Sequence, residues 1–101
     1  MSGWRVRTAE VGRAECGHLE GLPDEVAPAG ECEDCIREGT VWVHLRRCLG
    51  CRHVGCCDNS PRRHAAAHWR ATGHPVMASA EPGEGWAWCY PDELLLVHAR
   101  D

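Results

Sequence analysis

Read as apolar and polar positions, the chain changes period several times. "TVWVHLRRC" (40–48) alternates, with Val41, Val43 and Leu45 on one face and Trp42, His44 and Arg46 on the other, which predicts a strand. "SPRRHAAAHWRATG" (60–73) has helical character. Ser60 suits the N-cap, Pro61 the first helical position, Ala65, Ala66 and Ala67 carry high helix propensity, and Gly73 suits the stop. A helix is expected over about 61–72. "HPVMASA" (74–80) and "WAWCY" (86–90) read as strands, with "EPGEG" (81–85) as a turn, and "ELLLVHA" (93–99) reads as a strand in preference to a buried helix end. "GHLEGLPDEVAPAGEC" (17–32) reads as a loop and "REGT" (37–40) as a turn. Residues 1–14 form an arm with little pattern, from which Trp4 and Val6 can pack down, and 15–101 form one domain. The fold class is small α+β: a short antiparallel sheet packed with one main helix.

Composition adds a constraint. The chain has 101 residues, no Phe and a single Ile, Ile36. Its apolar interior is thin, and a domain of this size often needs a staple. Eight cysteines and seven histidines are the candidates. The start, "MSGWRVRTAEVG", has no apolar h-region, and no run approaches the ~20 apolar residues of a membrane span. The expected setting is the cytoplasm, where thiols stay reduced and histidines spaced among them point to metal rather than disulfides. Lys and Gln are also absent and Asn59 is the single Asn, as in a chain from a GC-rich, bacterial genome.

Cys32-Glu-Asp-Cys35 and Cys48-Leu-Gly-Cys51 are two Cys-x-x-Cys pairs, each able to grip one tetrahedral metal ion through a tight turn. His64 and His68 lie four apart and share one face of the expected helix; His74 follows just beyond it. A zinc protease would need a Glu after the first histidine, but Ala65 stands there, so a hydrolytic site fails at that residue. Cys57 is followed by Asp58, an anion expected to raise the thiol pKa, which argues against a nucleophilic thiol.

In order, "CGH", "CEDC", "CLGCRHVGC", "HAAAHWRATGHP" and "WCY" resemble the UBP-type zinc finger, the ubiquitin-binding module of many ubiquitin-specific proteases, over Cys16 to about His98. The resemblance implies three zinc ions in a cross-braced arrangement. Cys32 and Cys35 would join Cys56 and His64; Cys48 and Cys51 would join His68 and His74; Cys16 and His18 would join Cys89 and Asp92. The family has a cysteine where Asp92 stands. Either a carboxylate oxygen completes that site, or two ions are held instead of three. The chain has one residue more than the family between cysteine and histidine here. Counting from Cys51 selects Cys56, and counting back from His64 selects Cys57; Cys56 is the expected ligand. His44, His53 and His98 are expected to be structural or surface histidines.

Sites closed by four protein ligands are structural, so no enzyme activity is expected. The resemblance further implies a pocket for a free C-terminal Gly-Gly tail, with Trp88 and Tyr90 as its aromatic wall. Trp86, Trp88 and Tyr90 could equally be core packing. Asp58 falls where the family's carboxylate-binding arginine would be, and Leu95 falls where another pocket aromatic would be. Ubiquitin binding is therefore not carried over, and the expected partner is a protein or peptide. A metal- or redox-responsive protein is the alternative. Nucleic-acid binding through Arg46, Arg47, Arg62 and Arg63 is opposed by the formal charge of −4.

Overall fold

The computed structural model describes residues 4–7, 17, 18, 21–23 and 26–98. Its elements, in chain order, are β1 (Trp4–Val6), α1 (Glu33–Glu38), β2 (Leu45–Cys48), β3 (Val54–Cys56), α2 (His64–Thr72), β4 (Val76–Ser79), β5 (Trp86–Cys89) and β6 (Leu94–His98). Among the described residues the six strands form one sheet in the order β1-β6-β5-β4-β2-β3. Every pairing is antiparallel. This is the small α+β architecture expected, with a second, short helix.

One face of the sheet is dry. Trp4, Val76, Ala78, Ala87, Cys89 and Leu96 are buried there with Leu49, and Val6, Leu22 and Val26 pack against them. Burying each large aliphatic side chain stabilises by roughly 1.5–3 kcal/mol, so this cluster is the main apolar contribution. Both helices sit at the other end of the sheet, α2 over β2 and β3 and α1 against β3. Close packing of α2 there depends on Gly55. A Cβ at that position would lie 2.7 Å from the Ala65 backbone nitrogen.

Three expectations change. The run 40–48 is a strand only from Leu45. Val41 and Val43, expected to share the buried face of Leu45, are 69% and 51% exposed. The helix expected from 61 starts at His64. Ser60 does not cap it. Its hydroxyl instead accepts the Val43 N–H at 2.8 Å, and the cap position falls to Arg63, which is left-handed at φ +48° with no side-chain cap bond. Finally, Glu33–Glu38 is helical rather than a knuckle and turn. Its N-cap is Cys32, whose sulfur accepts the Cys35 N–H, and Gly39 ends it at φ +77°, a conformation glycine adopts without steric cost.

Candidate metal centres and the aromatic cavity

The first cluster gathers Cys32, the N-cap of α1, Cys35 within α1, Cys56 from the end of β3 and His64 from the start of α2. The three sulfurs lie 3.4–3.5 Å from His64 Nδ1, and Cys35 Sγ lies 3.7 Å from Cys56 Sγ. Zinc–ligand bonds of about 2.3 Å to sulfur and 2.0–2.1 Å to nitrogen give tetrahedral edges of about 3.8 Å for S···S and about 3.5 Å for S···N. The quartet therefore has the dimensions of a zinc tetrahedron. All four residues are buried.

With Nδ1 turned to the sulfurs, His64 directs Nε2 to Glu38 Oε1 at 3.1 Å. That bond fixes the tautomer, the arrangement expected of a metal-ligating histidine. Arg62 also donates to Glu38 Oε1, at 3.1 Å. The His64 N–H donates to Cys56 Sγ at 3.2 Å, and such N–H···S bonds offset the charge of a buried thiolate. Without a cation, burial pushes the Cys32 thiol up to about 12. A dication is what makes the deprotonated cluster stable, so metal loading releases protons.

In the second cluster, Cys48 Sγ lies 3.5 Å from His74 Nδ1, and Cys51 Sγ lies 3.3 Å from His68 Nε2. Two thiolates and two imidazoles balance a dication. Gly50 sits in the knuckle, where a Cβ would come within 3.2 Å of the His74 ring, while its N–H donates to Cys48 Sγ at 3.3 Å. Because the two donor sets alternate along the chain, the sites are cross-braced. His53 ties them together: its Nε2 meets Asp34 Oδ2 at 2.7 Å, and its ring stacks on His68 at 4.7 Å. Asp34 is pushed up by burial, but its bonds with His53 and Arg37 outweigh this and hold it below the ordinary value.

The third cluster brings His18, Cys89 and Asp92 together. His18 Nδ1 is 3.0 Å from Asp92 Oδ2 and 3.4 Å from Cys89 Sγ. Cys16, the fourth expected donor, lies outside the described residues. These are three candidate metal sites whose donors fit zinc: thiolates, imidazoles and one carboxylate.

A family profile described as the zinc finger in ubiquitin hydrolases and other proteins matches residues 32–99. The chain is a UBP-type zinc finger. It is also similar to a Rhodopseudomonas palustris protein whose solution NMR structure is known. The two are 48% identical, the match covers 83% of this chain and 82% of that one, and the TM-score is 0.72. No curated protein matches the chain.

Beside the metal centres, this UBP finger has a cavity of about 220 Å³. Trp86, Trp88 and Tyr90 wall it, Met77 floors it, and Arg46, Cys57 and Asp58 face into it. Trp88 and Tyr90 were expected there; Trp86, Arg46 and Met77 were not. The cavity draws on β2, β4, β5 and the segment after β3, and only sheet register brings these together. The Arg46 guanidinium lies 4.5 Å from the Trp86 ring centroid, a cation–π contact that holds it at the mouth. Tyr90 stacks on Trp69, centroids 6.0 Å apart and nearly parallel. Burial, then the nearby Asp58 charge, pushes the Tyr90 phenol up to about 12, so it remains a hydrogen-bond donor.

Cys56 is in the first cluster, whereas Cys57 Sγ lies 3.6 Å from the Ser60 hydroxyl. Despite the neighbouring Asp58, the Cys57 thiol is not raised overall. Burial pushes that thiol up, but the Ser60 hydroxyl, the Asn59 and His44 backbone groups and the Arg46 charge outweigh it and leave the thiol below its ordinary value. Two arginines of the expected basic clusters are engaged within the chain. Arg47 donates to the Ala27 and Arg52 carbonyls, and Arg62 pairs with Glu38. Among the described residues no helix is long and apolar enough to cross a membrane.

Proposed function

We propose that this UBP finger is a non-catalytic binding module that takes the C-terminal tail of a protein partner into the aromatic cavity. The first two metal sites would be structural, since four protein donors leave no open coordination position for water or substrate, and the third would be so if Cys16 completes it. The observation that carries the reading is the cavity itself. Aromatic walls grip an extended backbone, Arg46 offers a guanidinium to a terminal carboxylate, and Asp58 can accept the tail's N–H groups. Its small volume suits glycine-sized terminal residues. Arg46 thus supports the role that, in the family resemblance, belongs to an arginine at the position of Asp58.

The test is intrinsic tryptophan fluorescence on titration with peptides ending in Gly-Gly. A free carboxylate is expected to bind, and amidation or Arg46→Ala to weaken binding about tenfold or more. Asp58→Arg is expected to strengthen it. Equal affinity for the amidated and free peptides would refute the reading.

The third cluster favours a second reading, a zinc-responsive protein. The side chains of His18 and Asp92 are 37% and 30% exposed, unlike the buried first cluster. A weak chelator would then remove one zinc equivalent well before the others, with a change in partner binding.

A further inference from the structure

Trp86 lines the cavity and also a second hollow, of about 420 Å³, formed with Arg7, Gly85, Leu95 and Val97. Register places both hollows on one face, because directly paired residues in antiparallel strands point to the same face. One row across the sheet runs Arg5, Val97, Trp86, Ser79, Arg46. The next row runs Arg7, Leu95, Trp88, Met77, with the Arg7 N–H bonded to the Leu95 carbonyl. The opposite face of these strands is the dry core, whereas Trp86, Trp88, Leu95 and Val97 on this face stay part-exposed. The result is an aromatic and aliphatic track from Arg46 to Arg5 and Arg7.

We infer that this track reads the residues upstream of the bound tail and selects an acidic-apolar sequence, an inference that rests on the tail-pocket reading above. Strands are spaced about 4.8 Å apart, so the four intervals from β2 to β1 span about 19 Å, or about six residues of extended chain. With its terminal carboxylate at Arg46, the tail lays an apolar side chain, three or four residues from its end, over Trp86, Leu95 and Val97. Its fifth and sixth residues reach Arg5 and Arg7. Both arginines are exposed, and among the described residues neither has an ion-pair partner. They are a local positive end on a chain of formal charge −4, complementary to Asp or Glu in the ligand.

The probes are fluorescein-labelled hexapeptides read by polarisation at low salt: Glu-Asp-Leu-Val-Gly-Gly, the same with Lys-Arg in place of Glu-Asp, the same with Ser-Ser in place of Leu-Val, and each with an amidated end. The acidic-apolar peptide is expected to bind about fivefold tighter than the basic one and about tenfold tighter than the Ser-Ser one. The double variant Arg5→Glu with Arg7→Glu is expected to reverse the acidic-over-basic preference with an unchanged circular dichroism spectrum. A loss of fold alone would not reverse a preference. If amidation abolishes binding but neither upstream changes nor the charge reversal move affinity, the track inference is overturned while the tail pocket stands. If no free-carboxylate peptide binds, both fall. If a single-stranded oligonucleotide binds this face more tightly than any peptide, in an Arg5- and Arg7-dependent way, the peptide assignment is overturned.

Discussion

The two ends of the sheet are held by different forces. At the β2–β3 end, the buried cluster consists of Cys32, Cys35 and Cys56 with Leu45 and Ala80. Its centre is a set of thiols, and the flanking Val41 and Val43 are exposed. The elements are short, down to three residues in β3 and six in α1. At the β4–β5–β6–β1 end, Val76, Ala87, Leu96 and Trp4 form a conventional core beneath a continuous ladder. A chain with little oil can fold if it concentrates that oil at one end, with the third candidate centre beside it at Cys89, and relies on the two cross-braced sites at the other. The proposed binding surface then lies on the conventional end, and the metal-held end supplies Arg46 and Asp58 at its border.

The largest expected effect comes from removing the metal. Structural zinc sites contribute on the order of 10 kcal/mol each, so a strong chelator under reducing conditions, or Cys35→Ser, should unfold α1, β2, β3 and α2. Amide exchange by NMR is the readout. Equal protection with and without chelator would break the contrast between the two ends. Acidification should act in the same direction. Protons compete with metal for the thiolates, and burial already pushes the metal-free Cys32 and Cys48 thiols up. Zinc should therefore be lost as pH falls, measured as metal retained after dialysis across a pH series.

A smaller effect should come from the oily end. Leu96 is fully buried, and Leu96→Ala should cost about 2–5 kcal/mol of stability while the first two clusters keep their metal. Calorimetry with metal analysis tests both halves of that expectation. Gly55→Ala should cost about 1–3 kcal/mol, because its new Cβ meets backbone rather than a flexible side chain. Smallest is Glu38→Gln, which weakens the bond that orients His64. Metal affinity at the first cluster should fall about tenfold with the fold retained, as followed by competition with a chromophoric chelator.

Where sequence reading and structure part, element length, metal geometry or register is the cause. β4, β5 and β6 were legible because Val76–Ser79, Trp86–Cys89 and Leu94–His98 are apolar runs with turns between them. β1, β3 and α1 were not, since three to six residues carry too little period to recognise. The start of α2 moved because Cys56 and His64 must reach the same centre, which draws residues 57–63 into a loop and takes Ser60 away from capping to bond Val43. Val41 and Val43 alternate as a strand would, but in the structure the pairing of β2 begins only at Leu45.

The spacing of cysteines and histidines, taken by itself, determined that this chain would be built around metal, because chelation is a local property of short turns and helix faces. Trp88 and Tyr90 were singled out by the family resemblance rather than by spacing. Only the tertiary structure decided which nitrogen of each histidine faces the sulfurs, that Glu38 orients one of them, and that Arg46 and Trp86 complete the cavity. Those facts arise from strand register and from closure across dozens of residues, and nothing in the order of the residues along the chain encodes them locally.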